Sequence, residues 1–204
     1  MKHREEKLRT QFPAVERYML SCMNDIAHDR EHVYRVLNHA LDIAGHEPGT
    51  DTEALSIACL LHDIARDEQF ADPAICHATH GGEKAHDWLL AQGYSEAFAS
   101  AVQHCIATHR FRSSNPPQSL EAKILFDADK LEACGAVGIA RTFLYFSHTG
   151  AAEPLGEFLG EYEFKLSRVY DKFYTARGRE LAEQRRPAAQ VFAQALKEEI
   201  RRAT

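Results

Sequence analysis

No run in this 204-residue chain approaches the ~20 consecutive apolar residues that a membrane-spanning helix needs, so no membrane partner is expected. C-x-x-C pairs are absent as well. The five cysteines, Cys22, Cys59, Cys76, Cys105 and Cys134, are scattered and odd in number, which argues against a closed disulfide framework and for reduced thiols in a cytoplasmic protein. The N-terminal segment Met1 to Lys7 is charged and no apolar h-region follows it, so a secretory signal is not expected. Positive charge is not in excess: the formal net charge is -6, and with 45% hydrophobic residues the composition is that of a soluble globular protein. Nucleic acid is therefore not an expected partner.

Alternating strand patterns are essentially missing. Apolar residues instead recur at helical spacing: Val33, Val36, Leu37, Ala40, Leu41 and Ala44 form one stripe, Phe98, Val102, Cys105 and Ile106 a second, and Leu120, Ile124, Ala128 and Leu131 a third. Breaks are expected at Gly45 to Thr52, around Asp72-Pro73, at Gly93, across Ser113 to Pro117, and at Gly150 to Pro154. This gives about eight helices with short connections, with Ser119 as the N-cap of the helix carrying Asp127 and Asp129. The last third, from about Glu157 to Arg202, is charge-laced with apolar positions at helical spacing. It is expected to form a helical hairpin, broken near Gly178 and packed on the rest. One all-α domain over 1-204 is expected, with a core at about 26-145 and a C-terminal extension at about 151-204. A chain of this length buries roughly 70% of the surface its unfolded form would expose.

His62-Asp63 closes the apolar stretch Ala54 to Leu61. An imidazole and a carboxylate buried there cost several kcal/mol unless something pairs with them, and a divalent metal would do so. His32 upstream, Asp129 downstream and His109 between them are the groups available to complete such a site. His109 continues the Phe98 stripe by one helical step and should face inward, whereas His104 sits off that stripe. Ten of the twelve histidines lie between His28 and His109. Most need no function, and His39, His46, His86 and His148 read as hydrogen-bonded core or surface residues. His28-Asp29-Arg30-Glu31-His32 also fits the H-x-x-E-H pattern of inverted zincin peptidases. That reading leaves His62-Asp63 unexplained, so Asp29 as a helix N-cap with His32 as the ligand is preferred.

The segments His28 to Ala44, Leu60 to Ile64 and Asp127 to Arg141 resemble the HD-domain superfamily of metal-dependent phosphohydrolases, and more narrowly a subgroup of small bacterial HD phosphohydrolases. The tail, Glu163 to Leu166 and on to Gly178 to Ala182, is also similar to that subgroup, so the likeness covers most of the chain. The resemblance implies an HD-type helical bundle in which His32, His62, Asp63 and Asp129 hold one divalent ion, with water in the remaining positions. Imidazole and carboxylate donors suit Mn, Ni, Co, Fe, Zn or Mg. Some relatives carry a Glu-Asp pair after the His-Asp, where this chain has Arg66-Asp67. A carboxylate base there would have to be Asp67, and Arg66 would contact an anion.

The implied chemistry is hydrolysis of a phosphate ester or anhydride, with a nucleotide as the small-molecule substrate and cleavage of a nucleoside triphosphate to monophosphate and pyrophosphate as the specific form. A bound ion would lower the pKa of water and neutralise charge growing on a phosphoryl oxygen. Lys130, Arg66 and Lys165 are the candidate anion contacts; His109 is a candidate acid, phosphate contact or ligand of a second metal. The alternatives are a nucleotide-sensing module without turnover and a metallopeptidase using His28 and His32.

Overall fold

Most helix boundaries fall where the sequence places its stop signals. The computed structural model describes residues 12–23, 30–110 and 115–203, and every regular element among them is helical. The helices are α1 (Pro13–Cys22), α2 (Arg30–Ala44), α3 (Thr52–Leu61), α4 (Arg66–Ala71), α5 (His77–Ala91), α6 (Glu96–Thr108), α7 (Leu120–Leu131), α8 (Gly135–His148), α9 (Pro154–Glu161) and α10 (Ala176–Ala203). A π-helical turn, Tyr162–Leu166, and a 3-10 turn, Val169–Lys172, lie between α9 and α10.

Two more breaks are present than the sequence led us to expect, so ten α-helices are described and not eight. The apolar run from Ala54 continues to Ile64-Ala65, but α3 ends at Leu61 and His62-Asp63 sits in a tight turn, where the Ile64 amide donates to the Leu61 carbonyl and the Arg66 amide to the Asp63 carbonyl. Burial on both sides hides this turn from periodicity. The second break separates α7 from α8 at Gly135, whose φ of +64° is left-handed and whose added Cβ would lie 2.9 Å from that of Arg185. Gly178, by contrast, is not a break. It lies in the first turn of α10, where its amide donates to the Thr175 hydroxyl at 3.0 Å, and the chain bends just before it, at 173–175. His28, Asp29 and Ser113-Ser114 lie outside the described residues.

The chain divides into two compact units, Met1–Asp129 and Lys130–Thr204. In the first, α3 is almost wholly buried and serves as the central element, packed by α2 and α6. Asp51 starts it, its carboxylate accepting the Glu53 and Ala54 amides at 3.0 Å each. α5 and α6 pack closely because Gly82 has no side chain: a Cβ there would meet the Gln103 carbonyl oxygen at 3.0 Å. In the second unit, Phe158, Leu166 and Ala193 form a core on which Ile139, Phe143 and Leu196 pack, with the Phe143 and Phe158 rings stacked at 4.7 Å. Among the described residues no helix is long and apolar enough to cross a membrane.

Candidate metal centre

The centre lies in the first unit and is built from helix ends and one helix face. His32 is part of the buried face of α2, next to Val33 and Val36. His62 and Asp63 form the turn after α3, His77 opens α5, His109 caps α6 and Asp129 lies near the end of α7. His32, His62, Asp63, His77 and His109 are all at most 2% exposed, far less than their polarity would allow without partners.

Backbone carbonyls fix the rings. The Nδ1–H of His62 donates to the Cys59 carbonyl at 2.7 Å and that of His109 to the Ile106 carbonyl at 2.6 Å. His77 uses the Gln69 amide oxygen in the same way, with Nδ1 at 2.7 Å. Each Nε2 is thereby left as a lone pair pointing inward. Burial pushes the His62 and His77 pKa values down, that of His77 to about 2, so proton uptake does not relieve the crowding of acceptors.

Those lone pairs fall into two sets. In the first, the Nε2 atoms of His32 and His62 are 3.3 Å apart, with Asp129 Oδ1 3.5 Å from His32 Nε2. Asp63 Oδ2 stands 3.7 Å from His32 and 3.6 Å from His62. In the second, the Nε2 atoms of His77 and His109 are also 3.3 Å apart, and the other oxygen of Asp63, Oδ1, is 3.6 and 3.7 Å from them. The sets adjoin, since the His62 and His109 rings are 5.3 Å apart. Where both rings are held by their Nδ1 atoms, as at His77 and His109, two Nε2 acceptors 3.3 Å apart repel unless a cation lies between them. Two nitrogens about 2.0–2.1 Å from one ion at a tetrahedral angle are separated by about 3.3 Å, so the donor set fits a divalent metal in spacing as well as in chemistry.

The sequence-derived candidates are distributed as follows. His32, His62 and Asp129 form one group and Asp63 forms another with His77 and His109, while the second oxygen of Asp63 also lies 3.7 and 3.6 Å from His32 and His62. Asp127, two residues before Asp129 on α7, is fully buried and outside both groups. Arg66 turns toward Asp63, with Nη2 3.1 Å from Oδ1 and Nη1 3.2 Å from the Gln69 amide oxygen. Asp67 lies half-buried in the first turn of α4. Lys130 and Lys165 belong to the second unit, where Lys130 is buried and the Lys165 ammonium is 3.5 Å from Glu161. His46 and His86 are surface hydrogen-bonders, on the Asp42 carbonyl and the Glu96 carboxylate respectively.

His77 is the group the sequence reading missed. Its signal was present: Ala78, Gly81, Ala85 and Leu89 form the buried stripe of α5, and continuing that stripe to the start of the helix reaches His77.

Residues 30–134 match the HD domain family, just over half of the chain. The chain belongs to the HD-domain family. Among similar proteins is the uncharacterized protein YpgQ of Bacillus subtilis, 33% identical over 179 residues that cover 85% of this chain and 84% of that protein. A solved structure of YpgQ in complex with ADP superposes with a TM-score of 0.74 at 28% identity, covering 93% of this chain and 98% of that one. A predicted HD superfamily hydrolase from an uncultured Thermotogales bacterium superposes with a TM-score of 0.67 at 32% identity, covering 92% and 91% of the two chains. The HD domain of this chain thus presents a His/Asp cluster able to hold a divalent metal within an all-α fold.

Proposed function

We propose that this HD-domain protein is a metal-dependent phosphohydrolase of nucleotides, with His32, His62, Asp63 and Asp129 as the ligands of its principal ion. The observation that carries the reading is that the Nε2 atoms of His32 and His62 lie 3.3 Å apart, with Asp129 Oδ1 3.5 Å from His32 and Asp63 Oδ2 3.6 and 3.7 Å from His62 and His32. The ADP bound in the YpgQ structure supports a nucleotide as the substrate class. Cleavage of a nucleoside triphosphate to monophosphate and pyrophosphate is the specific reaction proposed.

A divalent ion supplies a Lewis acid for the phosphoryl group and acidifies water to near-neutral pKa. Protein groups do the rest. The Cys59 carbonyl holds His62 in the tautomer that offers Nε2, and Arg66 fixes the rotamer of Asp63 through Oδ1. Asp67 is proposed as the general base that takes the proton of the attacking water, replacing the Glu found in some relatives. His109 is proposed to act at the leaving oxygen or as a second-ion ligand. Lys130 and Lys165 are proposed as contacts for phosphate oxygens; loss of one such donor costs about 10- to 1000-fold in kcat/KM.

The test is a panel of nucleotides and model phosphate esters, assayed with Mn, Ni, Co, Zn and Mg for both phosphate and pyrophosphate release. Turnover of a nucleotide by the metal-loaded protein alone is expected. Tight nucleotide binding without product would make the chain a sensor, and peptide cleavage by the metal-loaded protein would restore the peptidase alternative.

A further inference from the structure

α4 is a helix with little of its own to keep it in place. It has six residues, none of them buried, and Ala65 before it provides no side-chain cap. Isolated helices shorter than about 12 residues are marginal in water, so α4 must be held from outside. Polar ties provide part of that hold. Arg66 reaches the Asp63 carboxylate, Gln69 receives the Nδ1–H of His77, and Glu68 receives the Lys84 ammonium from α5. The first two end on candidate metal ligands, whereas Glu68 and Lys84 lie outside both His/Asp groups.

Lys84 does more than pair with Glu68. Its Nζ also donates to the Ile64 carbonyl at 3.3 Å, in the residue that follows Asp63. One ammonium thus holds both the exit of the His62-Asp63 turn and the helix that comes after it. α5 can offer that group because it runs close to the turn: a Cβ added at Gly81 would lie 3.5 Å from the Ala65 Cβ and 3.8 Å from the His62 carbonyl oxygen. His77, Gly81 and Lys84 follow one another by four and three residues and so share one face of α5. Burial by itself would raise the Glu68 pKa, but the Lys84 hydrogen bond outweighs it and keeps the carboxylate ionised.

We infer that Lys84 is a positioning residue: by tying the Ile64 carbonyl and Glu68 to α5, it fixes where α4 presents Asp67 to the metal centre. This rests on the function proposed above, in which Asp67 is the base, and adds the residue that places it. Asp67 directly precedes Glu68, so a shift of α4 carries its carboxylate along. A displacement of about 1 Å at a reacting group can cost about 100-fold in rate. The Lys84–Glu68 pair is itself partly solvent-exposed, at 24% and 34%, so its loss should leave global stability nearly unchanged.

The experiment compares wild type, Lys84→Met, Lys84→Arg, Asp67→Asn and the double variant Lys84→Met/Asp67→Asn as full, metal-loaded chains. Amide hydrogen exchange is read alongside steady-state kinetics on the nucleoside triphosphate that wild type hydrolyses fastest. The Gln69 and Asp72 amides donate to the Ala65 and Glu68 carbonyls within and at the end of α4. Lys84→Met is expected to speed their exchange by about 10-fold while α3 and α6 keep wild-type rates. Its kcat should fall by about 10- to 100-fold with KM within a few-fold, because a group needed in the transition state is displaced. Lys84→Arg keeps a cationic donor and should stay within a few-fold of wild type. In the Asp67→Asn background Lys84→Met should cost nothing further, since the group it places is already gone. The inference is overturned if exchange in α4 is unchanged, if it rises equally in α3 and α6, or if Lys84→Met costs as much in the Asp67→Asn background as in wild type. A wild-type kcat in Asp67→Asn would remove the base, and this inference with it, while leaving the metal centre standing. If wild type hydrolyses no nucleotide, the proposed function itself falls, and the exchange rates still decide whether Lys84 holds α4.

Discussion

Asp63 and Asp129 differ from Asp127 in what they face, and that difference is measurable. Asp129 Oδ1 lies 3.5 Å from His32 Nε2, whereas Asp127 is fully buried apart from both His/Asp groups. Asp129→Ala is expected to lose bound metal and hydrolysis together. Asp127→Ala should keep metal and lose about 1–3 kcal/mol of stability, read by chemical denaturation, because it removes a fully buried polar side chain. In the sequence Asp127 lies nearer the apolar stripe of Leu120, Ile124, Ala128 and Leu131, so periodicity points to Asp127 where the likeness to HD proteins points to Asp129. His62 and Asp63 stood out in the sequence because polar residues in an apolar stretch have few cheap explanations, whereas His32 and Asp129 rested on the likeness to HD proteins. His77 did not stand out, because a histidine at a helix start has many such explanations. The histidines also make the metal-free protein acid-sensitive. His62 and His77 are neutral in the fold, with pKa values lowered by burial, but take up protons in the unfolded chain below about pH 6.5. The unfolded state then binds more protons, so the stabilisation is complete above about 6.5 and falls by about 1.4 kcal/mol per pH unit per histidine as pH drops toward the His77 value of about 2. Denaturation of the metal-free protein between about pH 5 and about pH 7 measures this slope, and a flat profile would contradict it. Cysteines offer a further check. Burial raises the thiol pKa values of Cys59, Cys105 and Cys134, whereas at Cys76 the upward push of burial is outweighed by hydrogen bonds from Thr79 and Arg110, which bring it to about 7. Alkylation at neutral pH should label Cys76 well before those three.

At the scale of elements, the ends of helices carry the chemistry. α3 begins at the Asp51 cap and ends at Leu61, delivering His62-Asp63 in a buried turn where both side chains point into the site. Asp51→Ala should cost about 1 kcal/mol in stability and leave metal binding intact, since it removes only the cap. Gly82→Val should be more damaging, about 1–3 kcal/mol by thermal or chemical denaturation, because the Cβ alone meets the Gln103 backbone oxygen at 3.0 Å and two methyls follow it. Breaks marked by Gly, Pro and Asp, such as those before Thr52, at Gly93 and before Pro154, were readable in the sequence because turn chemistry is local. The turn at His62 was not, because its residues are buried and carry no such marker. Gly178 misled for the converse reason: a glycine three residues after Thr175 helps a helix start as readily as it ends one.

For the whole molecule, an all-helical chain was legible from period and punctuation. The HD family was legible from four residues spaced across about half of the sequence. The division at Asp129–Lys130 was not, because α7 runs through it without interruption. Since the centre joins α2, the α3 turn and α7, binding of metal should stabilise the first unit as a ligand stabilises any fold it prefers. The most direct test of the central claim is a paired measurement, metal content and nucleotide turnover, on wild type and Asp129→Ala purified alike. The account expects about one tightly held divalent ion per chain and metal-dependent release of phosphate or pyrophosphate in wild type, with both lost in the folded variant. A folded Asp129→Ala protein that keeps its metal and hydrolyses nucleotides at the wild-type rate would contradict it.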